Sequence, residues 1–186
     1  MPKMKTLPLL LLLTASHVAA AQVRTPSALT TSQVIDAWIT NTENQLLPVA
    51  QAMPENKYSF APTHGEFKNV RTFAEQLKHL AANNYRQAAV MLGEKPTRDQ
   101  LNEQGPDSVR TKAEIVDYLK GSFASLHKAV AVINENNLVE PIPGVSGTWQ
   151  RARLGLAIDA VAHSFNHYGQ LVEYLRMNGI VPPDSR

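Results

Sequence analysis

At 186 residues the chain is long enough for one ordinary domain that buries its own core, and short for two. It has no cysteine, which excludes disulfides, thiolate metal sites and a cysteine nucleophile. Its formal net charge is only +2 and no basic stripe with interleaved aromatics occurs, so nucleic acid is not an expected partner.

Residues 1–21 read as a signal peptide. Lys3 and Lys5 make a positive start, residues 7–13 form a short leucine run broken by Pro8, and Ala19, Ala20 and Ala21 offer a cleavage site before Gln22. The apolar run is far shorter than the ~20 residues that span a bilayer, so no stable membrane insertion is expected after cleavage. The expected location is extracytoplasmic, either periplasmic or secreted, with residues 22–186 as the domain. Cleavage removes two lysines and no acid, leaving 16 basic and 16 acidic residues.

Four stretches of the remaining chain carry helical periodicity. The first is predicted over residues 32–53, with Val34, Trp38, Leu46, Val49 and Met53 near one side. Pro48 falls inside it, where a kink is expected, and Pro54 ends it. A loop with Tyr58 and Phe60 follows. The second helix is predicted from a capping box at Thr63 and Glu66, or a few residues later, to about Leu92, with Val70, Ala74, Leu77, Ala81 and Ala88 as its apolar stripe. Residues 94–110 are polar and read as a loop. Thr111 and Glu114 form another capping box, opening a third helix over residues 112–133 with Val116, Leu119, Phe123, Leu126 and Val130 toward the core. Residues 134–147 hold two prolines and two glycines and read as a loop. The fourth helix is predicted over residues 149–177, capped by Gly179 and stopped by Pro182 and Pro183. Strand-poor and four-fold, the pattern is that of an all-α helical bundle.

The chemistry-bearing residues are histidines. His163 and His167 stand one turn apart on the fourth helix, so both imidazoles leave the same face, a spacing by which one helix can give two nitrogens to one ion. A third ligand must come from a facing helix, and His79 lies within the second. All three point away from their own helices' large apolar residues. Periodicity is therefore compatible with three solvated histidines as well as with a metal site in a polar cleft between the second and fourth helices. Three neutral imidazoles would suit Zn²⁺, Ni²⁺, Fe²⁺ or Cu²⁺ rather than Ca²⁺ or Mg²⁺, and would leave coordination positions open. Glu75, Asp159 and Gln170 are the candidate groups to orient the rings. His64 reads as a capping or surface residue, His127 as isolated on the third helix, and Trp38 and Trp149 as packing residues near the bundle ends. Ser164, beside His163, points about 100° away and makes no triad with it.

Three segments carry a family resemblance. HSFNHYGQLVEYLRMNGIVPP at residues 163–183 closely resembles the last helix of DinB/YfiT-like proteins. MPENKYSFAP at residues 53–62 resembles the loop after their first helix, and RTFAEQLKHL at residues 71–80 their second helix. The resemblance implies a four-helix bundle of up-down-down-up order, a homodimer among its expected assemblies, and a divalent transition metal, Zn²⁺ or Ni²⁺ first, held by His79, His163 and His167. Some relatives resemble thiol-dependent transferases or isomerases, others are grouped as metal-dependent hydrolases, and many have no known activity. Thiol cofactors of that kind are cytosolic, so an exported member is expected to be a metal-dependent hydrolase or group-transfer enzyme acting on a small molecule. The alternative is a non-catalytic protein that binds a metal or small ligand. The sequence names no catalytic acid or base.

Overall fold

The protein is described by a computed structural model over residues 27–62 and 70–185. The predicted signal peptide, the Thr63/Glu66 capping box and His64 lie outside the described residues. Among the described residues there are five α-helices: α1 (Thr31–Ala52), α2 (Phe73–Met91), the single turn α3 (Arg98–Leu101), α4 (Lys112–Ala131) and α5 (Arg153–Met177). Short 3₁₀ turns lie at Glu55–Lys57 and Pro183–Ser185. Among the described residues there is no β-strand, only an isolated bridge between Pro141 and Ala152. None of the described helices is long and apolar enough to cross a membrane.

Threonine sets the start of four of the five helices. Thr30 with Gln33, Thr72 with Glu75, Thr97 with Gln100 and Thr111 with Glu114 each form a complete capping box. Each satisfies two backbone N–H groups that the helix itself cannot reach. The second helix thus begins at Phe73, on the later of two Thr-x-x-Glu sequences. The deciding contacts are long-range. Phe73 N–H donates to Phe60 O at 2.8 Å and Ala74 N–H to Tyr58 O at 2.9 Å, so the loop after α1 supplies the acceptors for the first turn of α2. Tyr58 in turn donates its hydroxyl to Ala50 O at 2.7 Å, tying that loop to the end of α1. The fourth long helix begins at Arg153 rather than near Trp149, and residues 98–101 of the predicted loop form α3.

α2 packs most extensively on α4, while α1 lies against α4 and α5, and α5 also lies against α2. Ile39, Leu46 and Val49 from α1, Phe73, Leu77 and Leu80 from α2, Leu119, Phe123 and Leu126 from α4, and Leu171 and Leu175 from α5 are fully buried. Helix ends meet by charge. Lys112 at the start of α4 donates to Gln51 O and Met53 O at the end of α1, a favourable place for a cation given the partial negative charge there. Arg153 at the start of α5 donates to Met91 O at the end of α2.

One expectation about packing needs correction. Val34, Trp38 and Trp149 are exposed, at 44 %, 52 % and 46 %. On α5 small and polar residues, Ala157, Ala160, Ser164 and His167, are buried beside Leu171, Val172 and Leu175, while Ile158 is exposed.

His127 is not isolated. Its Nδ1 meets Asp36 Oδ1 at 2.6 Å and its Nε2 meets Glu43 Oε2 at 3.1 Å, clamping α4 to α1 with one imidazolium between two carboxylates. Partial burial pushes the ring's pKa down, but the hydrogen bonds and charges of Asp36 and Glu43 outweigh it and leave it above the ordinary value. A raised native pKa stabilises the fold fully below the unfolded value of ~6.5, and that contribution fades as pH rises through the native pKa. The melting-temperature difference between wild type and His127→Gln is therefore expected to be largest at pH 6 and to shrink by pH 9. A difference that is flat or grows with pH would contradict the clamp.

Candidate metal centre

The three predicted histidines come together between α2 and α5. His79 on α2, and His163 and His167 on α5, each present one ring nitrogen, and these nitrogens all lie within 4.8 Å of one another. His163 Nε2 is 3.2 Å from His79 Nε2 and 2.9 Å from His167 Nε2. Nitrogens sharing one ion at ~2.1 Å each would stand ~3.4 Å apart at a tetrahedral angle, so the donor set fits a small divalent transition ion. No other group of three or more such side chains among the described residues converges in this way.

The cluster is set deeper than a surface cleft. His167 is buried, and His79 and His163 are half-buried. It belongs to a polar seam along the α2–α5 contact: Gln76, Asn83 and Gln87 of α2 are all buried. With His79 they recur every three to four residues, and they meet Asp159, His163, His167 and Gln170 of α5.

Every ring is held through its other nitrogen. His79 Nδ1 donates to the backbone carbonyl of Glu103 at 2.8 Å, and His167 Nδ1 donates to Gln76 Oε1. Gln76 is itself fixed, donating to Gln170 Oε1 at 2.8 Å. These partners place the proton on Nδ1 and leave the Nε2 lone pairs of His79 and His167 facing the centre. His163 differs. Asn83 Nδ2 donates to its Nδ1 at 2.9 Å, because an amide NH₂ has no lone pair to offer, while Asn83 Oδ1 accepts from Arg86. The His163 proton then lies on Nε2, between the other two rings. Turning the Asn83 amide by half a rotation would present Oδ1 to His163 and free the third lone pair.

Glu75, Asp159 and Gln170 do not orient the rings directly. Glu75 closes the α2 capping box, Asp159 accepts from Gln87, and Gln170 acts through Gln76. The orienting groups are Gln76, Asn83 and the Glu103 carbonyl. That carbonyl comes from the chain just after α3, which lies close on α2. At Gly105 (φ +70°) a Cβ would stand 3.1 Å from Lys78 Cβ and 3.2 Å from Lys78 O, so any other residue would crowd Lys78 and strain a backbone angle that favours glycine. The signal for Gln76 and Asn83 was present in the sequence as a polar stripe continuing His79. Glu103 could not be found that way, since its contact is backbone and depends on the loop path.

Burial is the main reason that His163 has its pKa pushed down to about 4 and His167 to about 3, followed by repulsion from neighbouring rings and from arginine. His79 is lowered as well, by burial first, with the Glu103 hydrogen bond opposing. At neutral pH all three rings are uncharged, so an entering cation need not displace an imidazolium proton.

The comparisons agree with this architecture. The DinB superfamily profile matches residues 39–171. The chain belongs to the DinB superfamily. No curated protein matches it.

Two outcomes follow. Gln76→Leu removes the acceptor that orients His167, and divalent-ion affinity measured by chelator competition is expected to fall about 10–100-fold. An unchanged affinity would show that Gln76 does not position the ring. Depressed native pKa values also mean that, below ~6.5, unfolded imidazoles take up protons which native His163 and His167 refuse. The metal-free protein should therefore lose stability as pH falls from 6.5 toward 4, and His163→Asn with His167→Asn should flatten that dependence in chemical denaturation.

Proposed function

We propose that this is an extracytoplasmic metal-dependent enzyme, a hydrolase or group-transfer catalyst acting on a small molecule, with His79, His163 and His167 as ligands to one Zn²⁺ or Ni²⁺ ion. The observation that carries the reading is the convergence of three neutral imidazoles whose remote nitrogens are all engaged. All-nitrogen coordination favours zinc or nickel over harder cations. A bound ion would supply Lewis acidity, polarising a carbonyl or phosphoryl oxygen. The chain's own residues do the rest. Gln76 and the Glu103 carbonyl fix two ring orientations, Asn83 sets the proton position on His163, and the buried seam excludes water from one side. The histidines act as ligands and not as bases.

The export reading rests on residues 1–21, with residues 22–186 as the mature domain. The up-down-down-up order of a four-helix bundle is supported by the ends that meet: α4 begins beside the end of α1, and α5 begins beside the end of α2. Association into a homodimer is part of the same proposal and is checked by light scattering. No lasting membrane attachment and no nucleic-acid partner are proposed.

A second reading, a non-catalytic metal- or ligand-binding protein, is favoured by one observation. The space bounded by His79, Asn83, Arg86, Gln100 and Glu103 is only about 10 Å³, too small for a substrate unless a side chain moves. Substitution separates the two. His163→Ala should cut metal content per chain to near zero in either case, measured by elemental analysis. Only an enzyme should also lose turnover on an ester, amide and thiol-transfer panel while its fold, followed by circular dichroism, is retained. Wild type fully loaded with metal yet inert across that panel would favour the binding protein. Failure to load any divalent ion would sink both.

A further inference from the structure

Beside the three histidines stand two arginines that the metal reading does not use. Arg71 lies immediately before Thr72, the N-cap of α2, and Arg86 lies seven residues after His79, on nearly the same face of that helix. Arg71 is a third exposed at its side chain, yet its Nε is buried with no hydrogen-bond partner. Among the described residues its one ion pair, to Glu103 Oε2, is 3.9 Å long, beyond hydrogen-bonding distance, and the Glu103 side chain is 65 % exposed. Arg86 lines the small space beside His79 together with Glu103.

Glu75 is turned back into its capping box and Asp159 is engaged by Gln87, so Glu103 is the carboxylate left facing the two arginines: it stands 3.9 Å from Arg71 and lines the small space beside His79 together with Arg86. A planar guanidinium with an unmade, desolvated N–H is suited to a carboxylate taken in parallel hydrogen bonds. The group it already faces, at too great a distance, is a carboxylate.

We propose that the centre takes a small molecule bearing a carboxylate, held by Arg71 with the field of Arg86, and that the Glu103 side chain is an internal competitor which leaves when the ligand enters. This rests on the metal reading above, whose ion would hold the other end of the ligand. Glu103 also lines the cramped space beside His79 with Arg86, so its departure would widen that space.

The test uses the full-length mature protein loaded with Co²⁺, whose visible spectrum reports ligands at the centre. Succinate, with a second carboxylate, is expected to perturb the spectrum at about tenfold lower concentration than its monoamide, succinamate. Arg71→Gln should erase that preference with cobalt content and melting curve unchanged. Glu103→Gln should act in the opposite direction, lowering the succinate concentration needed severalfold. A purely structural Arg71–Glu103 pair predicts no such opposition. The proposal is overturned if Arg71→Gln, still carrying one cobalt per chain, keeps the wild-type preference. If no cobalt is taken up, the metal reading falls, and the metal-free protein then decides about the arginines: a melting-temperature rise with succinate that disappears in Arg71→Gln supports the carboxylate site, and no rise overturns it.

Discussion

The structure turns on a buried polar contact between α2 and α5. Leaving one buried donor or acceptor of this kind unpaired costs about 1–3 kcal/mol, a large share of a domain's net stability. The seam keeps most of its groups paired by matching side chains in rungs: Gln87 with Asp159, Asn83 with His163, Gln76 with His167 and Gln170. Each rung fixes the rotation of α5 against α2. The imidazoles thereby converge as a consequence of helix pairing, and rotation of either helix by a few tens of degrees would break several rungs together.

The apolar core and the seam divide the labour of α2. Its Phe73, Leu77 and Leu80 bury hydrophobic surface, which supplies stability without direction, whereas its amides supply direction with little net stability. Asn83 joins the histidines to the arginine beside them, since its amide donates to His163 while its oxygen accepts from Arg86.

Much of this was legible in the sequence because the relevant signals are local. Four helical stretches, the Thr111/Glu114 capping box, the Gly179 stop and the α4 line through Leu119, Phe123, Leu126 and Val130 all rest on contacts within a few residues. The one-turn spacing of His163 and His167 is equally local. His79 was the candidate from a facing helix, and the resemblance of residues 71–80 and 163–183 to the DinB/YfiT-like pattern pointed to the same three. What escaped is non-local. The start of α2 was decided by carbonyls thirteen and sixteen residues upstream, at Phe60 and Tyr58. The burial of Ala157, Ala160 and Ser164 on α5 left no local signal, because small residues carry little hydrophobic bulk. His167 went inward with them, to a seam where its partner is an amide. His127 looked alone because its two carboxylates come from α1, more than eighty residues away.

The close approach at Gly105 links backbone thickness to metal chemistry. The chain after α3 rests on Lys78 with no room for a Cβ, and two residues earlier its carbonyl reaches the His79 ring. Glycine there serves as a shim of minimum gauge. A Cβ would press on Lys78 by a few tenths of an ångström at a backbone angle that itself favours glycine. The seating of one imidazole is thereby coupled to a position that does not touch the ring.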